Sequence, residues 1–100
     1  MASVRFEIVL APEAVDDLHA LKAHLRAAVR EALDKHLQHE PARTSRSRIK
    51  RLRGLSKPQY RLRVGDVRVF YDVSGSTVEV LAVVSKAEAT SWLAQFGSPE

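Results

Sequence analysis

Residues 60–72, YRLRVGDVRVFYD, leave this chain little choice of local structure. Two runs of period-2 alternation meet at Gly65-Asp66, a dipeptide suited to a two-residue hairpin with Gly where φ > 0 is needed. With that turn, Val64 pairs with Val67, Arg63 with Arg68, Leu62 with Val69, Arg61 with Phe70 and Tyr60 with Tyr71. Tyr60, Leu62, Val64, Val67, Val69 and Tyr71 then share a face suited to a core, and Arg61, Arg63, Arg68, Phe70 and Asp72 share the other. Like charges directly opposite one another destabilise a sheet, so folding does not ask for Arg63 against Arg68. An anion held between them would.

The charge distribution points the same way. Residues 43–68 hold ten basic side chains and one acid, for +9, whereas the other 74 residues hold six bases and eleven acids, for −5. A basic run alone is most simply a solvated loop. Three of these cations, however, fall on one sheet face, and segregation of this kind is the footprint of a polyanion site.

The remaining segments supply a frame for that face. Residues 4–10 alternate as a strand, with Phe6, Ile8 and Leu10 turned to a core. Pro12 opens a helix, with Glu13, Asp16 and Asp17 near its start, where acids favour the dipole. Ala14, Leu18, Leu21, Leu25, Val29, Leu33 and Leu37 make a helical stripe that runs to Pro41. As one helix it would be about 40 Å long, too long for a chain of 100 residues. The stripe therefore predicts an antiparallel helical hairpin with a turn near Lys22-Ala23-His24.

Residues 42–48 read as a Ser/Arg/Thr-rich loop, expected to be mobile. Residues 49–55 are open between a short strand and a single turn. After the central hairpin, residues 78–84 form a further strand, with Val78, Val80, Ala82 and Val84 on the core face and Glu79, Leu81 and Val83 on the arginine side. Leu81 and Val83 beside Phe70 would need a cover. Residues 86–96, whose Trp92, Leu93 and Phe96 share an edge, are the candidate helix. The chain is thus expected to be one α+β domain, residues 1–100: a small antiparallel sheet, an N-terminal helical hairpin on one face and a short C-terminal helix.

Several chemistries find no support. There is no cysteine, so neither disulfide nor thiolate chemistry is available. His19, His24, His36 and His39 lack metal-site spacing and read as helix-surface residues. No phosphate-binding Gly-rich loop or nucleophile motif is present, and no cofactor or metal is expected. The sequence shows neither a signal peptide nor a membrane-length apolar run, so a cytoplasmic protein is expected. A basic face can bind RNA and can help cut it, because RNA supplies its own nucleophile, the 2′-hydroxyl. Arginines stabilise the crowded phosphate but are poor bases.

Strand, helical hairpin, basic linker and a meander carrying KRLRGL and YRLRVGDVRVFYDV resemble the RelE/ParE family of bacterial toxin–antitoxin toxins over nearly the whole chain. RelE-type members are ribosome-dependent endoribonucleases that cut messenger RNA; ParE-type members poison DNA gyrase. Both are silenced by an antitoxin. Carried over by position, the resemblance implies catalytic roles for Arg61, Arg63, Arg68, Lys86 and Trp92. The last two depart from the usual arginine and tyrosine. Arg46, Arg48, Lys50, Arg51, Arg53 and Lys57 are expected to bind RNA. The expected function is therefore a ribosome-dependent mRNA endoribonuclease with antitoxin, ribosome and mRNA as partners. The alternatives are a gyrase inhibitor without catalysis and a degenerate, antitoxin-binding member.

Overall fold

The computed structural model describes residues 4–100. Strand β1 (Glu7–Leu10) leads into helices α1 (Pro12–Ala20) and α2 (Ala23–Leu37). Strands β2 (Ile49–Arg51), β3 (Leu55–Lys57), β4 (Tyr60–Val64), β5 (Val67–Ser74) and β6 (Thr77–Ser85) follow, then helix α3 (Lys86–Phe96) and β7 (Ser98–Pro99). The main sheet runs β1-β6-β5-β4-β2, and β3 pairs with β7 in a separate ribbon. The α+β class expected from the sequence is the one observed. β2, β4, β5 and β6 pair antiparallel, and β1 joins β6 in parallel, as a strand returning through helices can.

The helical stripe is interrupted at Leu21-Lys22, where Leu21 adopts an extended backbone and its N–H still donates to the Leu18 carbonyl. This matches the turn placed near residue 22. Ala14 and Leu18 of α1, and Val29, Leu33 and Leu37 of α2, are buried against Leu62, Val67, Val69, Tyr71, Val78 and Val80 of the sheet. Each large apolar side chain among them, fully buried, stabilises the fold by about 1.5–3 kcal/mol. The Tyr71 hydroxyl, inside this core, donates to the Pro41 carbonyl at 2.6 Å. That bond satisfies a buried polar group and pegs the segment after α2 to the sheet. Burial pushes the phenol far above its ordinary pKa, with a smaller contribution from Tyr60, so it remains a donor.

The sequence misplaces the second half of β6. Pairing runs Val67–Ser85, Arg68–Val84, Val69–Val83 and Phe70–Ala82, then slips so that Tyr71 faces Val80. Leu81 is the extra residue of a β-bulge, and one extra residue reverses which face every later side chain occupies. Val83 therefore joins the core with Val69, whereas Ala82 and Val84 lie on the arginine side. Just past the end of the β1 pairing, the Asp17 carboxylate accepts the Val83 N–H at 2.9 Å, tying α1 to the bulged strand. The loop before β2 carries hydrogen bonds of its own. The Ser45 hydroxyl oxygen accepts the N–H groups of Arg48 and Ile49, and the Ser45 N–H donates to the Ile49 carbonyl.

Candidate nucleic-acid interface

The central hairpin has the register read from its sequence, from Val64–Val67 at the turn to Tyr60–Tyr71. Gly65 opens the turn at φ 57°, a left-handed conformation that Gly adopts without steric cost. β2 extends the sheet beyond β4, with Lys50 opposite Arg61 and Arg51 opposite Tyr60. One step further, the Arg63 N–H donates to the Arg48 carbonyl at 2.8 Å. Two rows of side chains therefore cross the outer face. One runs Lys50, Arg61, Phe70 and Ala82; the other runs Arg48, Arg63, Arg68 and Val84. Arg48 and Arg63, with Ser47 and Gly65, line an open hollow of about 320 Å³ at the outer end of the second row.

These cations are not equivalent. Arg63 is exposed. Arg61 is half-buried, and its Nε–H is buried without a hydrogen-bond partner. Burial, followed by the charges of Arg68 and Arg63, holds the Arg61 guanidinium below its ordinary pKa. That ordering of causes describes a desolvated cation among like charges, an arrangement that favours an incoming anion. Arg68 is only 7% exposed, because it folds back on its own turn and donates from Nη1 to the Gly65 and Val67 carbonyls. It braces the hairpin as well as charging the face.

Lys86 is exposed at the first turn of α3, and its backbone N–H donates to the Asp66 carbonyl at 2.7 Å. Its backbone therefore sits beside the turn that joins the strands of Arg63 and Arg68. Trp92 stacks on Phe70 with ring centroids 4.9 Å apart and planes within 8°, and Phe96 meets it at 5.4 Å. This pairing is the cover that the apolar part of the face needs. It also commits Trp92 to protein contacts on two sides.

The six residues expected to bind RNA divide. Arg48 and Lys50 join the face, while Arg46 and Arg53 are exposed in flanking turns. Arg51 points to the opposite side, where its guanidinium lies 5.5 Å from the Tyr60 ring and donates to the Leu52 and Gln59 carbonyls. Lys57 sits at the far end, 3.8 Å from Glu79, lining an apolar hollow with Leu81, Trp92 and Phe96. Sequence reasoning set aside His36 and His39, which the fold places with Lys35, Arg43 and Arg48 around a further hollow of about 270 Å³. Their spacing with Lys35 at one helix end is the signal that could have found them. Among the described residues, no group of three or more His, Cys, Asp or Glu side chains could hold a metal ion, and no helix is long and apolar enough to cross a membrane.

Residues 8–90 match the family model described as the ParE toxin of the parDE type II toxin–antitoxin system. No curated protein matches the sequence. Among solved structures, the chain is similar to one in the RelBE2 toxin–antitoxin complex from Mycobacterium tuberculosis: 29% identity, 86% of this chain and 97% of that chain covered, TM-score 0.69. It is also similar in fold to one in the archaeal RelE–RelB complex from Pyrococcus horikoshii, with 24% identity, 82% and 96% coverage and TM-score 0.68. The RelB–RelE antitoxin–toxin complex from Methanococcus jannaschii gives 22% identity, 84% and 96% coverage and TM-score 0.59.

Proposed function

The chain belongs to the RelE/ParE family of toxins from type II toxin–antitoxin systems, and from that premise we propose that it is a ribosome-dependent endoribonuclease that cuts messenger RNA. The observation that carries this reading is the doubled cationic row on the outer sheet face, Lys50–Arg61 beside Arg48–Arg63–Arg68. In the reaction, the 2′-oxygen attacks the adjacent phosphorus as its proton departs, and the bond from phosphorus to the 5′-oxygen breaks. The 5′-oxygen takes up a proton, leaving a 2′,3′-cyclic phosphate and a 5′-hydroxyl. Arg63, exposed and opposite Arg68, is suited to hold a non-bridging oxygen as charge builds there, and the half-buried Arg61 adds positive charge beside it. Lys86, exposed at the rim, adds positive charge to the face. The face supplies charge rather than a base, so alignment of the 2′-hydroxyl falls to the ribosome, which presents the message.

We further assign a small antitoxin as partner, carrying acids and hydrophobes to match a basic face with an apolar margin; the three similar structures, which are toxin–antitoxin complexes, support it. A second reading, DNA gyrase inhibition without catalysis, is favoured by the ParE description of the matching family model. It is also favoured by the contacts of Trp92 with Phe70 and Phe96, which leave the face without a free aromatic. One experiment separates the two. The chain is induced alone in bacteria while new 5′ ends on messenger RNA and breaks in DNA are mapped in parallel. New 5′-hydroxyl ends that depend on translation support the nuclease; DNA breaks with intact messages hand the case to the gyrase reading.

A further inference from the structure

The second cationic hollow, of about 270 Å³, lies where the end of α2 meets the loop leading into β2. Three permanent cations line it, Lys35, Arg43 and Arg48, against one carboxylate, Glu40. Arg43 and Glu40 pair at 2.8 Å, but both are well exposed, so this bridge is weak and easily exchanged for a stronger anion. The loop is already shaped to receive one. Ser45 accepts two backbone N–H bonds that fix the path of residues 45–49, and its own O–H is left to donate. Arg48 lines both this hollow and the one it shares with Arg63. The two sites are therefore adjacent, joined at Arg48, and form a single track from the sheet face around to α2.

We infer that this hollow is a second phosphate subsite, which holds a backbone phosphodiester of the same RNA strand whose neighbouring phosphates lie on the arginine face, and that protonation of His36 strengthens its grip. The inference rests on the reading of that face as RNA-binding, though not on cleavage. His36 is half-buried at the hollow, with Lys35 on its own helix and Arg48 from the loop beside it. His39, Glu40 and Arg43 complete the charged groups that face it. Burial first, then Arg48 and Lys35, holds the imidazole below its ordinary pKa. A phosphate between these cations reverses the repulsion and makes the protonated ring favourable. By linkage, RNA then binds more tightly as pH falls.

The test measures binding of a short single-stranded 2′-O-methyl RNA, which cannot be cleaved, by fluorescence anisotropy. Between about pH 8 and about pH 5.5, the range over which one imidazole gains its proton, affinity should tighten roughly three- to tenfold. His36→Gln should abolish that gain, and His24→Gln on the exposed face should keep it. Arg48→Ala should weaken binding at both pH values and lower the salt slope by about one. Arg63→Ala should weaken binding yet leave the pH response intact. Titration with inorganic phosphate, followed through the His36 ring resonances, reads the subsite alone. A pH response that survives His36→Gln or vanishes with His39→Gln would overturn the inference. So would inorganic phosphate that moves the His36 ring while the oligonucleotide does not. Cleavage on ribosomes without this pH response removes the subsite and leaves the nuclease; the pH response without cleavage does the reverse.

Discussion

Arg63 and Arg68 face each other across the hairpin, yet their surroundings give them different roles. Arg63→Ala removes an exposed guanidinium, so melting should be unchanged. Loss of one preorganised donor should cost roughly 3–4 kcal/mol of transition-state stabilisation, a hundredfold or more in single-turnover cleavage on programmed ribosomes. Arg68→Ala should instead lower stability by about 1–3 kcal/mol, because it deletes a buried side chain that satisfies two turn carbonyls. Alternation told which face Arg68 takes, but not that the guanidinium reaches back to its own turn; a pairing register carries no such information. Asp72 shows another bond that alternation could not supply. Its carboxylate accepts the Gln59 N–H at 2.7 Å, while Gln59 Oε1 accepts the Val73 N–H. Burial holds Asp72 above its ordinary pKa, with the Gln59 N–H and Lys57 opposing. The folded state thus favours the protonated acid, and this contribution fades as pH rises through the folded pKa. Asn at this position keeps an acceptor and has no charge. Urea unfolding of Asp72→Asn should show a smaller fall in stability from mildly acidic to neutral pH than wild type.

Among the elements, the turn and register of the hairpin and the bounds of α3 were legible, whereas β5 runs on to Ser74, past the end expected for the hairpin; the reasons differ. The hairpin combines alternation with a turn dipeptide, and α3 is bounded by a Ser85 cap, whose oxygen accepts the Glu88 N–H, and by Gly97. The bulge at Leu81 was not legible, because no residue type marks it; pairing across two strands decides it. α3 has no fully buried residue and holds the face through Trp92 on Phe70. An element anchored so lightly lies at the low end of local stability. Trp92→Ala removes a stacked pair worth about 0.5–1.5 kcal/mol beyond its buried area. Hydrogen exchange should accelerate selectively across residues 86–96, while β4 and β5 keep their protection. Equal acceleration in all three would show that α3 is integral to the cooperative core.

Across the whole molecule, charge and packing are separated: the inner sheet face and helices hold the core, and the outer face and the loop before β2 hold the cations. Affinity for RNA or ribosomes should therefore fall steeply with salt as condensed counterions are displaced. Arg46→Ala with Arg48→Ala and Lys50→Ala should flatten that dependence by about one unit of slope for each phosphate no longer neutralised. The balance of +9 against −5 made such a surface legible in the sequence. The subsite at His36 was hidden because α2 and the loop meet only once Tyr71 pegs Pro41 to the sheet.

β2 is also the outermost strand of the main sheet, three residues long, with exposed Lys50 and Arg51. A sheet edge with unpaired peptide groups invites a second chain to add to it; here Ser45 already occupies both peptide groups of Ile49, and short length and positive charge are further protections against that event. Lys50, one of the cations that would grip a nucleic acid, thus also helps keep copies of this protein apart. Replacing Lys50 and Arg51 together with Thr, a good strand former, should expose a neutral, flat edge. Static light scattering at rising concentration should then detect self-association in the variant and none in wild type. Solubility and activity would in that case meet at Lys50, so selection against aggregation alone would conserve part of a surface otherwise credited to function.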